Sequence, residues 1–190
     1  MRKSRVETAE TRRRIVEVAA EGFRANGIHA TGLADVMTAA GLSLGGFYRH
    51  FDSKDHLVAE ACEAALTGMI GELEAAAEGC SGAEGFNAMV DAYMSTTHRD
   101  SPANGCPLAG MGSELARADE STRAAAAQGI DEFVDMLAKR IGDPEDNGDR
   151  SRAVFALSAL IGALTLSRIL PDQAASASLL EDVRQQIEAI

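Results

Sequence analysis

An all-α fold follows from three features of the chain. Apolar residues recur at three- and four-residue spacings, no run alternates apolar and polar residues for long enough to form a strand, and alanine is abundant while prolines number four. With 190 residues and 46% hydrophobic content, the chain can bury a sizeable core. About nine helices are expected, divided between a three-helix helix-turn-helix unit at residues 1–55 and a larger helical body at 56–190.

Taken in order, the first helix runs from about residue 9 to 26, gathers Ile15, Val18, Ala19 and Gly22 on one face, and stops at Asn26-Gly27. The second begins at a Thr31 cap. Its Leu33, Val36, Met37 and Ala40 share a face, and Gly41 suits the left-handed position that ends a helix. Ser43 is then expected to cap a further short helix by accepting from the amides of Gly45 or Gly46. On that helix Leu44, Phe47 and Phe51 form the anchoring side, while Gly45, Gly46 and Arg49 face away, flanked by Tyr48 and His50. Two short helices meeting at a tight corner, the second aromatic and basic, make the layout that reads duplex DNA. Arginine forks onto a guanine edge, Tyr and His donate to phosphate, and the bare glycines admit close backbone approach. Each glycine weakens the helix by up to about 1 kcal/mol relative to alanine, so the reading segment is expected to firm up on DNA.

The stretch Thr31 to Leu57, TGLADVMTAAGLSLGGFYRHFDSKDHL, resembles the DNA-binding signature of TetR-type (AcrR-like) transcriptional repressors, and the likeness extends over residues 8–57. The resemblance implies that Thr31, Tyr48, His50 and Lys54 contact backbone phosphates and that Gly45, Gly46 and Arg49 face the bases. It also implies a homodimer on a palindromic operator, joined through a four-helix interface, with a body that binds a small-molecule effector. Three positions depart from the usual pattern: Leu44 where Lys is common, Ala34 where Arg is common, and Gly46 where Thr, Ser or Ala is common. Fewer cations predict a shallower salt dependence.

A long helix from about Lys54 to Ala77 continues from the reading unit into the body, which makes it the natural mechanical link. Gly79 to Gly82 should break it. Helices are then expected at about 83–98, 107–118 and 120–141, followed by a loop at 143–148. The last two, at about 150–170 and 173–189, differ in character. Val154, Phe155, Leu157, Leu160, Ile161, Leu164 and Leu166 leave almost no polar face, and Leu179, Leu180, Val183, Ile187 and Ile190 form a second stripe, so both need cover from a second copy or from the chain's own core.

The net charge of -11 divides unevenly: residues 1–55 hold nine Lys or Arg against seven acids, and residues 56–190 nine against 22. An acidic body orients the more basic end toward DNA. MRKSR is followed by no apolar segment of the kind a secretion signal needs, and the apolar run Val154 to Leu166 is short for a bilayer, so a cytoplasmic protein without membrane contact is expected.

An apolar or aromatic effector would suit Met69, Met89, Tyr93, Met94, Met111, Phe133, Met136 and Phe155, because methionine adapts to varied apolar shapes; plain core packing is the competing reading of each. Glu114 is expected to pair with Arg117 or to meet a polar group of the ligand. Cys106, just before Pro107 at a helix start, is a candidate sensor thiol, since helix amides favour the thiolate; this makes a redox- or electrophile-responsive repressor the alternative reading. Neither enzyme nor cofactor is indicated. Gly41-Leu-Ser43-Leu-Gly45 matches a nucleophile elbow only in letters, since a helix and not a strand precedes it. His50, His56 and Cys62 recur every six residues, which scatters them around a helix and gives no metal site.

Overall fold

The computed structural model describes residues 5–142 and 147–189. All regular elements among these residues are helices, with α1 (Arg5–Asn26), α2 (Leu33–Ala39), a 3₁₀ helix (Leu44–Arg49) and α3 (Lys54–Ala76) at the N-terminal end. The body adds α4 (Gly82–Tyr93), α5 (Thr96–Asp100), a 3₁₀ turn (Pro102–Asn104), α6 (Pro107–Leu115), α7 (Glu120–Ile141), α8 (Asn147–Ile169) and α9 (Gln173–Glu188). Residues 143–146 of the expected loop, residues 1–4 of the basic start and Ile190 of the last stripe lie outside the described residues; Asn147 and Gly148 already belong to α8.

Each boundary has a local cause. Gly41, at φ +72°, closes α2: its amide donates to the Thr38 carbonyl at 2.9 Å and the Leu42 amide to the Met37 carbonyl at 2.8 Å, the paired bonds of a Schellman ending. Ser53 caps α3 by accepting from the His56 amide at 3.0 Å, Asp119 caps α7 through the Ser121 and Thr122 amides, and Asp172 caps α9 through Ala175. The single helix expected at 83–98 is two. Ser95 interrupts it, donating to the Ala92 carbonyl and accepting from the His98 amide.

Two of the expected caps are different. Gly32, not Thr31, is the N-cap of α2, because the Thr31 hydroxyl turns inward to the carbonyls of Gly27 at 2.8 Å and Gly22 at 3.1 Å. Ser43 makes no side-chain cap; the Gly46 amide bonds its carbonyl instead, at 2.9 Å. That i to i+3 bond winds the segment as a 3₁₀ helix, the tighter form adopted where two glycines lower α-helical preference.

The core of the N-terminal unit joins Ile15, Ala19 and Phe23 of α1 to Val36 and Met37 of α2 and to Phe47 and Phe51. Phe47 and Phe51 stack at 5.5 Å, and the Arg12 guanidinium lies 4.2 Å from the Phe51 ring centre while also pairing with Glu60 of α3. In the body, α3 lies along α7 and passes so near that a Cβ on Gly129 would stand 2.4 Å from the Leu66 side chain. Helix α8 has the length and apolarity to cross a membrane, yet Ala153, Ala156, Leu157, Leu160 and Leu164 are buried within the protein. Its Arg150 pairs with Asp131 and Asp135 of α7, and Arg168 donates to the carbonyls of His98 and Arg99.

Phe47→Ala should remove the anchor beneath the 3₁₀ segment. Because Phe47 is fully buried, a loss of about 3–5 kcal/mol in urea-denaturation stability is expected, with helical content at zero denaturant retained.

Candidate nucleic-acid interface and effector cleft

The outward side of the 3₁₀ helix carries Tyr48, 72% exposed, together with exposed Gly45 and Arg49 and half-buried Gly46 and His50. Phe47 beneath them is fully buried and meets the Tyr48 ring edge-on at 5.2 Å. The segment is therefore an aromatic plug whose opposite face offers a phenol, a guanidinium and an imidazole to solvent. Leu44 departs from the expected anchor. It stands at the first position of the helix and is 48% exposed.

Two expected phosphate contacts are otherwise engaged. Thr31 is buried with its hydroxyl on the Gly22 and Gly27 carbonyls, so its part is to fix the α1–α2 corner. Lys54 sends Nζ to the Ile28 carbonyl at 2.5 Å, 5.8 Å from the Phe23 ring centre. Thr31 thus fixes the loop between α1 and α2 to the end of α1, and Lys54 ties that loop to the start of α3.

That loop is also where the body grips the reading unit. Glu114 of α6 accepts from the Ile28 amide at 3.0 Å and the His29 amide at 2.9 Å, with the His29 Nδ1 at 2.7 Å. This corrects the expected pairing with Arg117 or a ligand. Burial alone would raise the Glu114 carboxyl, but the His29 and Ile28 donors outweigh it and hold it below the usual carboxylate range. Gly27 makes the approach possible: its φ is +90°, and a Cβ there would lie 2.8 Å from Glu114 Oε2. No periodicity in the sequence signals this clamp, because a side chain here meets main-chain amides about 85 residues away.

A cleft of about 300 Å³ opens between α3, α4 and the segment 95–104, lined by Met69, Glu72, Tyr93, His98, Ser101 and Asn104 among others. A recess of about 170 Å³ shares Met69, Glu72 and Asn104 with it and reaches Arg24 of α1. Of the expected pocket residues, Met69 and Tyr93 border the cleft. Met89, Met94, Met111, Phe133 and Met136 are buried core residues, and Phe155 is 59% exposed on the outside of α8, away from this cleft. Residue type alone did not separate pocket wall from core. The polar wall was missed: His98 donates from Nδ1 to the Tyr93 carbonyl at 2.7 Å and accepts at Nε2 from the Cys106 amide at 2.9 Å, which fixes it neutral, and burial pushes its pKa down.

Cys106 does stand at the start of α6, but it is fully buried. Burial pushes its pKa up despite the Tyr93 hydroxyl and the amides of Ala109 and Leu108, so the expectation of an accessible thiolate is corrected. Cys62 is buried too, its pKa raised by burial to about 11. Among the described residues no three His, Cys, Asp or Glu side chains gather as a metal site would require.

Comparison with known proteins agrees with this architecture. Residues 15–61 match the sequence profile of bacterial regulatory proteins of the tetR family, and residues 82–186 match the C-terminal domain of LmrA/YxaF-like transcriptional regulators. An uncharacterized HTH-type transcriptional regulator of Mycobacterium tuberculosis is 33% identical over 173 residues, covering 85% of this chain and 86% of its own. AcrR of Shigella flexneri is 40% identical over 73 residues, 38% of this chain and 34% of AcrR. In structure, a TetR transcriptional regulator from Chloroflexus aurantiacus superposes with a TM-score of 0.78 at 27% identity, covering 96% of this chain and 94% of its own. The reduced form of Escherichia coli NemR shares the fold at a TM-score of 0.77 and 19% identity, over 95% and 96% of the two chains.

Glu114→Gln should speed hydrogen exchange at the Ile28 and His29 amides and lower stability by about 1–3 kcal/mol at neutral pH. Since the folded-state pKa is depressed, the wild-type advantage is full above pH 4.5 and closes as pH falls through the folded value. In the native protein Cys80 should react with a thiol reagent well before Cys62 and Cys106, which become reactive together with unfolding.

Proposed function

The chain belongs to the TetR family of bacterial transcriptional regulators, and on that footing we propose that it is a repressor that binds a palindromic operator as a homodimer and releases it when a small molecule fills the cleft beside α3. Family membership makes it a DNA-binding regulator and not an enzyme. The observation that carries the reading is the exposed Tyr48–Arg49 surface seated on buried Phe47 and Phe51. In this reading Tyr48 and His50 hold phosphates, Arg49 reads a base edge, and Gly45 and Gly46 let the main chain come near. Thr31 and Lys54 act by positioning the loop, and through any phosphate that their remaining hydrogen-bonding capacity reaches.

The second copy is assigned to the outer face of α8 and α9. Val154, Phe155, Leu166 and Ile169 are 47%, 59%, 54% and 69% exposed, a concentration of apolar surface that a monomer has no use for. A twofold pairing there sets two reading heads, which engage successive major grooves only at a separation of about 34–36 Å. The effector is a small molecule with an apolar or aromatic body against Met69, Leu73 and Ala92 and a polar group toward Glu72 or Asn104. Its site adjoins α3 and, through the recess, Arg24, so occupancy bears on the reading unit directly. A regulator that acts on DNA works where the DNA is, which supports a cytoplasmic location. The thiol-switch alternative has no support, because Cys106 is shielded from oxidants.

Phe155→Glu together with Ile169→Glu should convert the dimer to monomer in sedimentation and weaken operator binding at least tenfold, with helical content unchanged. Arg49→Ala should weaken binding to the selected operator by about 1–3 kcal/mol while leaving the dimer intact. A wild-type chain that sediments as a monomer, or binds all duplexes equally, overturns the reading.

A further inference from the structure

We propose that Leu44 reads thymine through its 5-methyl group and is thereby a specificity-determining residue of the operator. The inference rests on the reading of Leu44–Arg49 as the DNA-facing segment. Leu44 opens the 3₁₀ helix and is 48% exposed, whereas Phe47, one turn on, is fully buried. Side chains lean toward the N-terminus of their helix, so the Leu44 isobutyl group overhangs the open end instead of entering the core beneath Phe47. Helix-turn-helix proteins present the N-terminal residues of this element to base edges. At the next position a Cβ on Gly45 would meet nothing within 4 Å among the described residues, so the helix surface that follows Leu44 is open to an approaching base edge.

The chemistry of the contact follows from what leucine lacks. It has no donor or acceptor, so it satisfies neither the O6 and N7 acceptors of guanine nor the amino donors of cytosine and adenine, and seating it on any of these strips water from a polar edge without replacing it. Thymine carries the one apolar substituent on the major-groove edge, the 5-methyl group. Leu44 therefore gains by burying that methyl and loses over every other base. An exposed leucine at the mouth of the reading turn is then a selective contact and not a defect of packing.

The test uses the full chain. A duplex selected from a random pool supplies the operator, and each thymine in it is replaced singly by deoxyuridine, which deletes the methyl and keeps the base pair. One thymine in each half-site should weaken wild-type binding about fourfold when demethylated, the size expected for one buried methyl. Leu44→Ala should bind the parent duplex more weakly yet show no further loss at that position, and its unfolding midpoint should match wild type. The inference is overturned if no single demethylation affects the wild type, or if every one affects wild type and Leu44→Ala equally. Failure to select any duplex would fell the DNA-binding reading itself, an outcome distinct from selecting an operator that is indifferent to demethylation.

Discussion

The arrangement depends on removing two phenylalanines from water. Six residues wound as a 3₁₀ helix, two of them glycine, have no stability of their own. Stacked Phe47 and Phe51, buried against α1 and α2, hold the segment in place, and Arg12 covers the Phe51 ring while joining Glu60 of α3. Polar groups on the far side are displayed because the near side is fixed. Burial on one face and presentation on the other are thus one property of the same short segment.

Two connections join the body to that segment. One is covalent: α3, capped by Ser53 beside the reading turn, is 23 residues long and packs on α7, where Gly129 lets Leu66 lie closer than any side chain would permit. The other is the Glu114 carboxylate on the Ile28 and His29 amides. The cleft lies between them, with Met69 and Glu72 on α3 and its recess reaching Arg24 on α1. The ligand proposed for this cleft would touch the shaft and the seat of the reading unit together, so a displacement of α3 against α1 would need no longer path.

Sequence reasoning read local geometry well where a single residue type is demanded. Gly41 had to be left-handed, and it is; the helical spacings located α1, α2, α3 and the apolar character of α8. It read ends poorly. Leu44 falls on the same side as Phe47 at helical spacing, but a first-turn side chain leans past the helix end and finds nothing to cover it. Cys106 was expected to be activated by helix amides, yet desolvation, which no spacing pattern reports, is the larger effect. Met89 and Met136 looked like pocket wall and are core, because adaptability in a methionine serves both. His98, Asn104 and the Glu114 clamp were illegible, since each acts through main-chain groups or a cleft formed by distant segments.

The Glu114 clamp has an evolutionary corollary. Because it holds backbone N–H groups, which every amino acid but proline supplies, its two main-chain bonds ask nothing of the side chains at positions 28 and 29, although Ile28 is kept apolar by its burial and the His29 imidazole adds a contact of its own. The constraint falls instead on Gly27, whose bare α-carbon makes room for the carboxylate. Descendants of this chain can therefore vary the exposed side chain at position 29 while inheriting the same main-chain clamp, provided the glycine persists and no imino acid follows it.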